Sequence, residues 1–384
     1  MSFDTTNTNS GCKGGVITLL PKMLNKELLP LACRHHVAEL TLKHCYELKG
    51  DVSQSDKLDN FKIFREKFNS KLESCEEIIY RNVLHVPDLA KLTQPWRQSM
   101  LDFCLNCLNA KQPRGDYVEL LELVILFLGG DTKIGIKFRR AGSISRARWM
   151  ARAIYVLKIW MVNIDIKNID QKLMDHFEKL ALFITKCYVK YWYSLNDAIK
   201  APRVDLEFWR TISSFDFPEY AETAARSFEK HLWYLSPRLI ALAMFDDLVT
   251  HEEKRELKQA YLKAVDSDCA LNRKKMKVDV PTRATKISLT DSLASFVTAD
   301  TKDFFKIMTI STDFMLKNVQ DWEGDEGYIV GKKRAASLQV TNDVAERGVK
   351  LISDFNQKAT RDPAQQEYML QVIESHRQRY PKKW

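Results

Sequence analysis

Asp4 is the first residue in the chain whose position suggests chemistry. It follows the apolar residue Phe3 directly and opens a polar Thr/Asn run that ends at Gly11. This arrangement is typical of a strand whose last residue projects a carboxylate into a cleft. A plainer interpretation stays open, because an Asp at the start of a Thr/Asn turn also accepts hydrogen bonds from the turn's own backbone.

A second acid of interest, Glu346, lies near the other end of the chain. It is the last residue of Asp343-Val344-Ala345-Glu346, which fits a capping box. In such a box the first and fourth residues accept hydrogen bonds from free amides at the start of a helix. Taken alone, the pattern favours a helix cap over a ligand role.

Cys33 and His36 have the spacing of two metal ligands. With Cys104 and Cys107 they would complete a Cys₃His zinc set. The second pair lies in an apolar segment that is predicted to be helical, where Cys is more often a small core residue. We therefore do not expect zinc to bind here.

Basic residues cluster around a strongly apolar helix predicted over 143–163 and in a loop near residue 275. Their positive charges offer contacts to phosphates, and an aromatic ring among them offers a stacking surface. The candidate DNA-binding residues are Arg139, Arg140, Arg148, Trp149, Arg152, Lys274 and Lys275. In the alternative, the helix is interior, its arginines pair with acids, and the loop is simply solvated.

The front of the chain predicts a strand-helix-strand unit that positions Asp4 and Cys33. Residues 14–24 can cross over as a helix between a strand ending at Phe3 and a short buried parallel strand over 28–32. Farther along, apolar residues recur at spacings of three and four, and strand signals are nearly absent. The predicted helices cover 35–48, 58–80, 96–111, 116–128, 143–163, 169–195, 205–215, 218–234, 237–248, 251–265, 301–320, 344–356 and 363–380, with a Gly-rich turn over 324–331.

Three motifs occur in an order that resembles a known family. They are Asp-Thr-Thr-x-x-Asn-x-Gly from Asp4, Leu-x-Cys-Arg-His-His-x-x-Glu-Leu from Leu31, and Asn-Asp-Val-Ala-Glu-Arg from Asn342. Together they resemble the catalytic region of eukaryotic cut-and-paste DNA transposases of the hAT-like kind, which have an RNase H-like core. The resemblance covers the larger, C-terminal part of such an enzyme.

The resemblance implies that Asp4 and Glu346 are catalytic carboxylates and metal ligands, and that Cys33 and His36 support the core beneath them. In such enzymes two Asp and one Glu bind divalent ions for DNA cleavage and strand transfer. Mg²⁺ or Mn²⁺ is therefore the expected cofactor. Asp4 matches the second Asp, and the first Asp has no counterpart in this chain. We therefore expect a catalytically incomplete protein.

Composition and charge suit a polyanionic partner. The chain has 384 residues, a formal net charge of +9 and a pI of about 9.0. DNA is the expected partner, and a second copy of the chain is a further candidate. Eight Cys without disulfide-like spacing indicate a reducing compartment, and with the resemblance this means the nucleus. No apolar run reaches membrane-spanning length, so no membrane partner is expected.

These observations predict a mainly α protein with a small α/β part, namely an incomplete RNase H-like core interrupted by a large all-helical insertion. The predicted domains are the front of the core over 1–50, the helical insertion over 51–322, and the C-terminal core helices over 323–384. We expect a transposase-derived protein, either N-terminally truncated or domesticated. The alternative is a non-catalytic helical protein that binds DNA or another protein. Because the core lacks its first strands, we expect the front of the chain to be loosely held or covered by another chain.

Overall fold

The computed structural model describes residues 1–11, 14–49, 59–74, 78–131, 138–141, 150–162, 164, 170–268 and 287–341, together with positions 362, 365, 368 and 372. The chain divides into two compact units, Met1–Thr341 and Asn342–Trp384. In the second unit, Gln365, Tyr368 and Val372 are helical and exposed.

A parallel pair of short strands forms at the front of the first unit. Strand β1 (Ser2–Phe3) pairs with β2 (Leu31–Ala32). Between them the chain forms a short helix, α1 (Asn7–Ser10), and a longer one, α2 (Val16–Met23). The predicted strand-helix-strand unit is therefore confirmed.

The chain after β2 is mainly helical, as the apolar spacing predicts. Its α-helices are α3 (Arg34–Tyr46), α4 (Asp59–Glu73), α5 (Pro87–Asn109), α6 (Gly115–Phe127), α7 (Ala151–Met161), α8 (Gln171–Phe183), α9 (Val189–Trp192), α10 (Ala201–Ser213), α11 (Pro218–Phe228), α12 (His251–Asp268), α13 (Lys302–Met308) and α14 (Glu326–Ala336). A π-helical turn, Ile184–Tyr188, joins α8 to α9 without a break. The 3₁₀ helices are Glu47–Lys49, Val83–His85, Glu229–His231, Trp233–Leu235, Leu239–Phe245, Leu293–Phe296, Ala299–Thr301, Asp313–Leu316 and Val319–Gly324.

This architecture confirms the mainly helical class with a small α/β part. The RNase H-like core and its insertion stay predictions, since two strands are all that the described ranges contain. Helix α7 is buried along its length, as its apolar residues predict. Within the part of the chain that the structure describes, no helix is long and apolar enough to cross a membrane.

The expectation that the front of the chain is loosely held is wrong. The carbonyl of Ala32 accepts a hydrogen bond from the hydroxyl of Tyr234 at 2.7 Å. The amide of Arg34 donates to the carbonyl of Val340 at 2.9 Å. The Arg34 side chain is buried and forms an ion pair with Asp205 at 2.5 Å. Helices of the same unit and the segment after α14 thus satisfy polar groups at the end of β2, which explains how so short a strand can be buried.

The prediction of a turn over 324–331 is wrong for most of its length: Gly324 ends a 3₁₀ helix, Asp325 caps α14, and the rest is the first part of α14. A Cβ atom at Gly331 would lie 2.8 Å from Cγ2 of Ile310 and 3.0 Å from the ring of Phe245. Gly331 therefore allows close packing of the helix rather than a turn. Glycine alone does not distinguish these two roles in a sequence.

We expect Gly331→Ala to lower the free energy of unfolding by about 1–3 kcal/mol. The added methyl group crowds Ile310 and Phe245, and this cost exceeds the gain in helix propensity. The matched control is Gly324→Ala, because no atom lies within 4 Å of that Cβ position. The control should change stability by less than about 0.5 kcal/mol. Urea unfolding measures both variants, and equal stability of the two would contradict the close-packing explanation.

Candidate functional site

The carboxyl ends of β1 and β2 bring predicted site residues to one edge of the strand pair. Asp4 directly follows β1, and Cys33 directly follows β2 as the N-cap of α3. The two strands are parallel and Phe3 pairs with Ala32, so both residues lie at the same edge. His36 lies in the first turn of α3. In open sheets of parallel strands, this edge is where ligands bind.

The two oxygens of the Asp4 carboxylate differ in the hydrogen bonds that they accept from the described residues. Oδ1 accepts hydrogen bonds from the Thr6 amide at 3.1 Å, the Thr6 hydroxyl at 2.6 Å and the Asn9 side-chain amide at 2.8 Å. Oδ2 accepts none from any described residue. Burial raises the pKa of Asp4, but these hydrogen bonds and the nearby His36 outweigh it, so the pKa lies below its ordinary value. The turn interpretation is thus confirmed at Oδ1, while Oδ2 is open to a cation or a donor as far as the described residues are concerned.

Three histidines interact electrostatically next to Asp4. Burial lowers the pKa of His36, and the charge of Asp4 acts in the opposite direction. His231 ends the 3₁₀ helix that follows α11, and its pKa is lowered to about 4, by burial first and then by repulsion from His36 and His44. Burial also lowers the pKa of His44, whose Nδ1 lies 2.7 Å from the Ser227 hydroxyl. These shifts favour neutral imidazoles, which can accept a proton or bind a ligand.

Buried polar atoms without partners lie on segments that meet at this edge. Thr5 Oγ1, His231 Nδ1 and Trp233 Nε1 are buried and make no hydrogen bond with the described residues. The Trp233 ring packs edge-on against Phe3, with the ring centroids 5.4 Å apart. An unsatisfied buried group costs about 1–3 kcal/mol. These atoms therefore favour a polar ligand or ordered water at the edge.

His231, Trp233 and Arg34 are residues that the sequence does not identify as part of the site. The first two fall in the segment predicted as one helix over 218–234, which in fact ends at Phe228 and continues as two 3₁₀ helices. Arg34 stands inside the motif that starts at Leu31. The one hint in the sequence is that this charged residue stands in a segment expected to be buried. A buried charge requires a partner, and the sequence does not identify that partner.

The described residues do not complete a metal site around Asp4. In the described ranges, no group of three or more His, Cys, Asp or Glu side chains is arranged to hold an ion. Asp4 offers one hard oxygen suited to Mg²⁺ or Mn²⁺. Its expected partner, Glu346, lies outside the described residues. Metal binding at Asp4 therefore stays a prediction.

The cysteines of the two Cys-x-x pairs differ in environment. Cys33 and Cys104 are buried, and Cys107 is half-buried one turn farther along α5. Burial raises the pKa of the Cys104 and Cys107 thiols. At neutral pH these thiols are therefore protonated in the metal-free protein.

Each described arginine among the DNA-binding candidates pairs with an acid. The pairs are Arg139 with Glu122 at 3.0 Å, Arg140 with Glu73, and Arg152 with Glu39 at 3.7 Å. This geometry matches the alternative in which the arginines pair with acids, so a phosphate would compete with these carboxylates. The remaining candidates, Arg148, Trp149, Lys274 and Lys275, lie outside the described residues.

We expect the free energy of unfolding to fall as the pH is lowered from about 6.5 to about 4. Burial holds the folded-state pKa of His231 at about 4, below the ordinary value of 6.5. Burial likewise lowers the pKa of His35, stacked on Trp192, to about 3. Below pH 6.5 the unfolded chain therefore binds more protons than the folded one. Each such histidine adds a slope of up to about 1.4 kcal/mol per pH unit. Urea unfolding in a pH series measures this slope.

His231→Gln should reduce the acid slope by the contribution of one histidine. His251→Gln is the control, because His251 lies exposed at the start of α12 and should leave the slope unchanged. A slope that is equal in the wild type and both variants would show that His231 is not held neutral by the fold.

Comparisons with known proteins identify no relative of this chain. No protein-family model, no curated protein and no solved structure matches the chain. The resemblance to hAT-like transposases therefore rests on the three sequence motifs.

Proposed function

We propose that the chain is a transposase-derived nuclear protein that binds DNA. The observation that carries the proposal is the placement of Asp4 and the Cys33-x-x-His36 motif. They follow two parallel strands connected by a helix, in the order that the resemblance implies. The open Oδ2 of Asp4 also suits a divalent ion. In the parent family the chemistry is metal-dependent DNA cleavage and strand transfer.

In this proposal the chain binds DNA without cutting it. Cleavage with two metal ions needs carboxylates that converge from separate elements. The motifs supply counterparts for two of the family's three acids, Asp4 and Glu346. An incomplete acid set leaves at most weak metal binding, whereas affinity for the DNA backbone does not depend on these acids.

Exposure favours Arg139 and Arg140 over Arg152 as phosphate contacts. The side chains of Arg139 and Arg140 are 40% and 48% exposed in their ion pairs. Exposed ion pairs contribute at most about 1 kcal/mol, so a phosphate can replace the acid. Arg152 is 24% exposed beside the buried Glu39, whose charge it neutralises. Moving Arg152 to a phosphate would leave that carboxylate uncompensated.

A protein-interaction role without catalysis is the second candidate. The observation that favours it is the outer face of α2, where Val16, Leu19 and Met23 are 39%, 44% and 81% exposed. Their spacing places them on one side of the helix. Exposed apolar faces of this kind are typical of surfaces that contact another protein.

We expect DNA affinity to depend weakly on base sequence and to fall steeply with salt. Replacing Arg139, Arg140, Lys274 and Lys275 together by Glu should weaken binding, because favourable phosphate contacts become repulsive. The slope of log K against log salt should become shallower by roughly 0.9 for each lost contact. Fluorescence anisotropy of a labelled duplex in a salt series measures both quantities.

The matched control makes the same change of charge elsewhere, replacing the exposed Lys22, Lys91, Lys172 and Lys306 by Glu. It should retain more of the affinity than the first variant. Equal losses of DNA affinity in the two variants would contradict the prediction that Arg139, Arg140, Lys274 and Lys275 contact DNA. A DNA affinity that does not change with salt concentration would contradict the proposal that the chain binds DNA through its positive charges, and it would favour the protein-interaction role.

We expect no DNA cleavage or strand transfer with Mg²⁺ or Mn²⁺, because the acid set is incomplete. A nicking assay on supercoiled plasmid and a strand-transfer assay measure the two reactions. Asp4→Asn is the control that separates activity of this site from a contaminating nuclease. Metal-dependent activity that Asp4→Asn abolishes would overturn the proposal of binding without cleavage.

A further inference from the structure

A cavity of about 510 Å³ lies between the helix containing the π turn and α10. Its volume falls in the range of small-molecule sites. Four basic side chains contribute to its lining, namely Lys186, Lys190, Lys200 and Arg203. Asp197 and Glu207 are the acids in the lining, and Asp216 and Asp246 contact lining cations from outside it, so what decides the charge available to a ligand is which cation has no acid partner.

Lys190 differs from the other three cations in having no acid partner among the described residues. The existing pairs are Lys186 with Asp216 at 2.7 Å, Lys200 with Asp197 at 3.0 Å, and Arg203 with Asp246 at 2.7 Å and Glu207 at 2.9 Å. Lys190 is exposed and lies one turn beyond Lys186 on the same continuous helix. The ammonium group of Lys190 is therefore free to pair with an anion in the cavity.

The remaining lining offers an apolar surface beside these cations. Val204, Phe208 and Leu248 line the cavity. Leu248 is 64% exposed, which is high for a large apolar side chain at a cavity. Covering Leu248 with the apolar part of a ligand would remove this surface from water. The ring face of Phe208 stacks on Tyr191, with the ring centroids 3.8 Å apart, so that face is already occupied.

The backbone at the cavity is also unusual. Lys186 and Cys187 belong to the π-helical turn Ile184–Tyr188. Such turns are rare and occur frequently at functional sites. Here the turn helps to set the direction in which Lys186 and Lys190 leave the helix.

We propose that this cavity binds a small organic phosphate. The phosphoryl group contacts Lys190, with Lys186, Lys200 and Arg203 around it, and the apolar part of the ligand covers Leu248. A phosphate suits the cavity better than a carboxylate, because its higher charge and additional oxygens match several cations at once. The site uses none of the residues assigned above to DNA, and the proposal stands independently of the proposed function.

Isothermal titration calorimetry at low salt tests the proposal with phenyl phosphate and inorganic phosphate as probes. Both should bind to the full chain, and phenyl phosphate more tightly. Lys190→Gln should weaken both probes by about tenfold or more, since it removes a charge-assisted hydrogen bond. Leu248→Ala should weaken phenyl phosphate by about threefold to tenfold and leave inorganic phosphate unchanged. Leu248 is mostly exposed, so this variant should fold.

Lys172→Gln is the matched control, because Lys172 is an exposed lysine on α8 that does not line the cavity. It should leave both affinities unchanged. Absence of saturable phenyl phosphate binding would overturn the proposal, as would equal affinity of the wild type and Lys190→Gln. Displacement of phenyl phosphate by a short DNA duplex would assign the cavity to nucleic acid and overturn the small-ligand assignment.

Discussion

A buried ion pair between Arg34 and Asp205 holds the front of the chain to the helical body. The two side chains are 1% and 2% exposed, and their closest atoms are 2.5 Å apart. The guanidinium also donates to the carbonyl of Leu195 at 3.0 Å, and the Tyr191 hydroxyl donates to Asp205 at 3.0 Å. Removing one partner of such a pair typically costs about 3–5 kcal/mol, because an uncompensated charge remains in the interior. That is a large share of the stability of an ordinary domain.

The site at the strand edge depends on this pair. Arg34 directly follows Cys33 and begins α3. Its ion pair with Asp205 therefore fixes the end of β2, and it also fixes the direction of α3, the helix that contains His36. A second buried acid of α3, Glu39, accepts hydrogen bonds from the Tyr188 hydroxyl at 2.5 Å and the Met150 amide at 2.8 Å. The residues at the strand edge are therefore held in place without a long sheet. Polar contacts from other helices position α3 and with it His36, and hydrogen bonds from Thr6 and Asn9 position Asp4.

Local sequence patterns predict the local structure well. The apolar residue before Asp4 and the short apolar run before Cys33 predict two parallel strands, because strands joined by a crossover helix run in the same direction. Spacings of three and four predict most of the described α-helices. The predictions over 237–248 and 301–320 are wrong in part, because the first segment forms a 3₁₀ helix and the second continues after Met308 as 3₁₀ helices. The Thr/Asn run after Asp4 predicts the turn that occupies Oδ1.

What the sequence does not predict depends on contacts between distant residues. Arg34 and Asp205 are both ordinary charged residues until the fold brings them together. Gly331 has the composition signal of a turn, but the neighbours that require it, Ile310 and Phe245, belong to other elements. His231 reaches the strand edge because α11 stops at Phe228, before the end of its apolar pattern. Tertiary packing determines each of these features, and helix periodicity contains no information about it.

The π turn at Ile184–Tyr188 constrains how this protein can change in evolution. Tyr188 reaches Glu39, and Tyr191, shortly after the turn, reaches Asp205. The turn contains one residue more than an α-helical turn, so deleting one residue from it would restore a regular α-helix and leave the following residues facing nearly the same direction. Tyr191 would then stay near Asp205 and Lys190 near the cavity, whereas side chains inside the turn, such as Lys186 and Tyr188, would change direction. The turn can therefore lose one residue with less effect on the rest of the helix than a deletion elsewhere in the helix would have, and the loss would fall on the contacts of its own side chains, such as that of Tyr188 with Glu39.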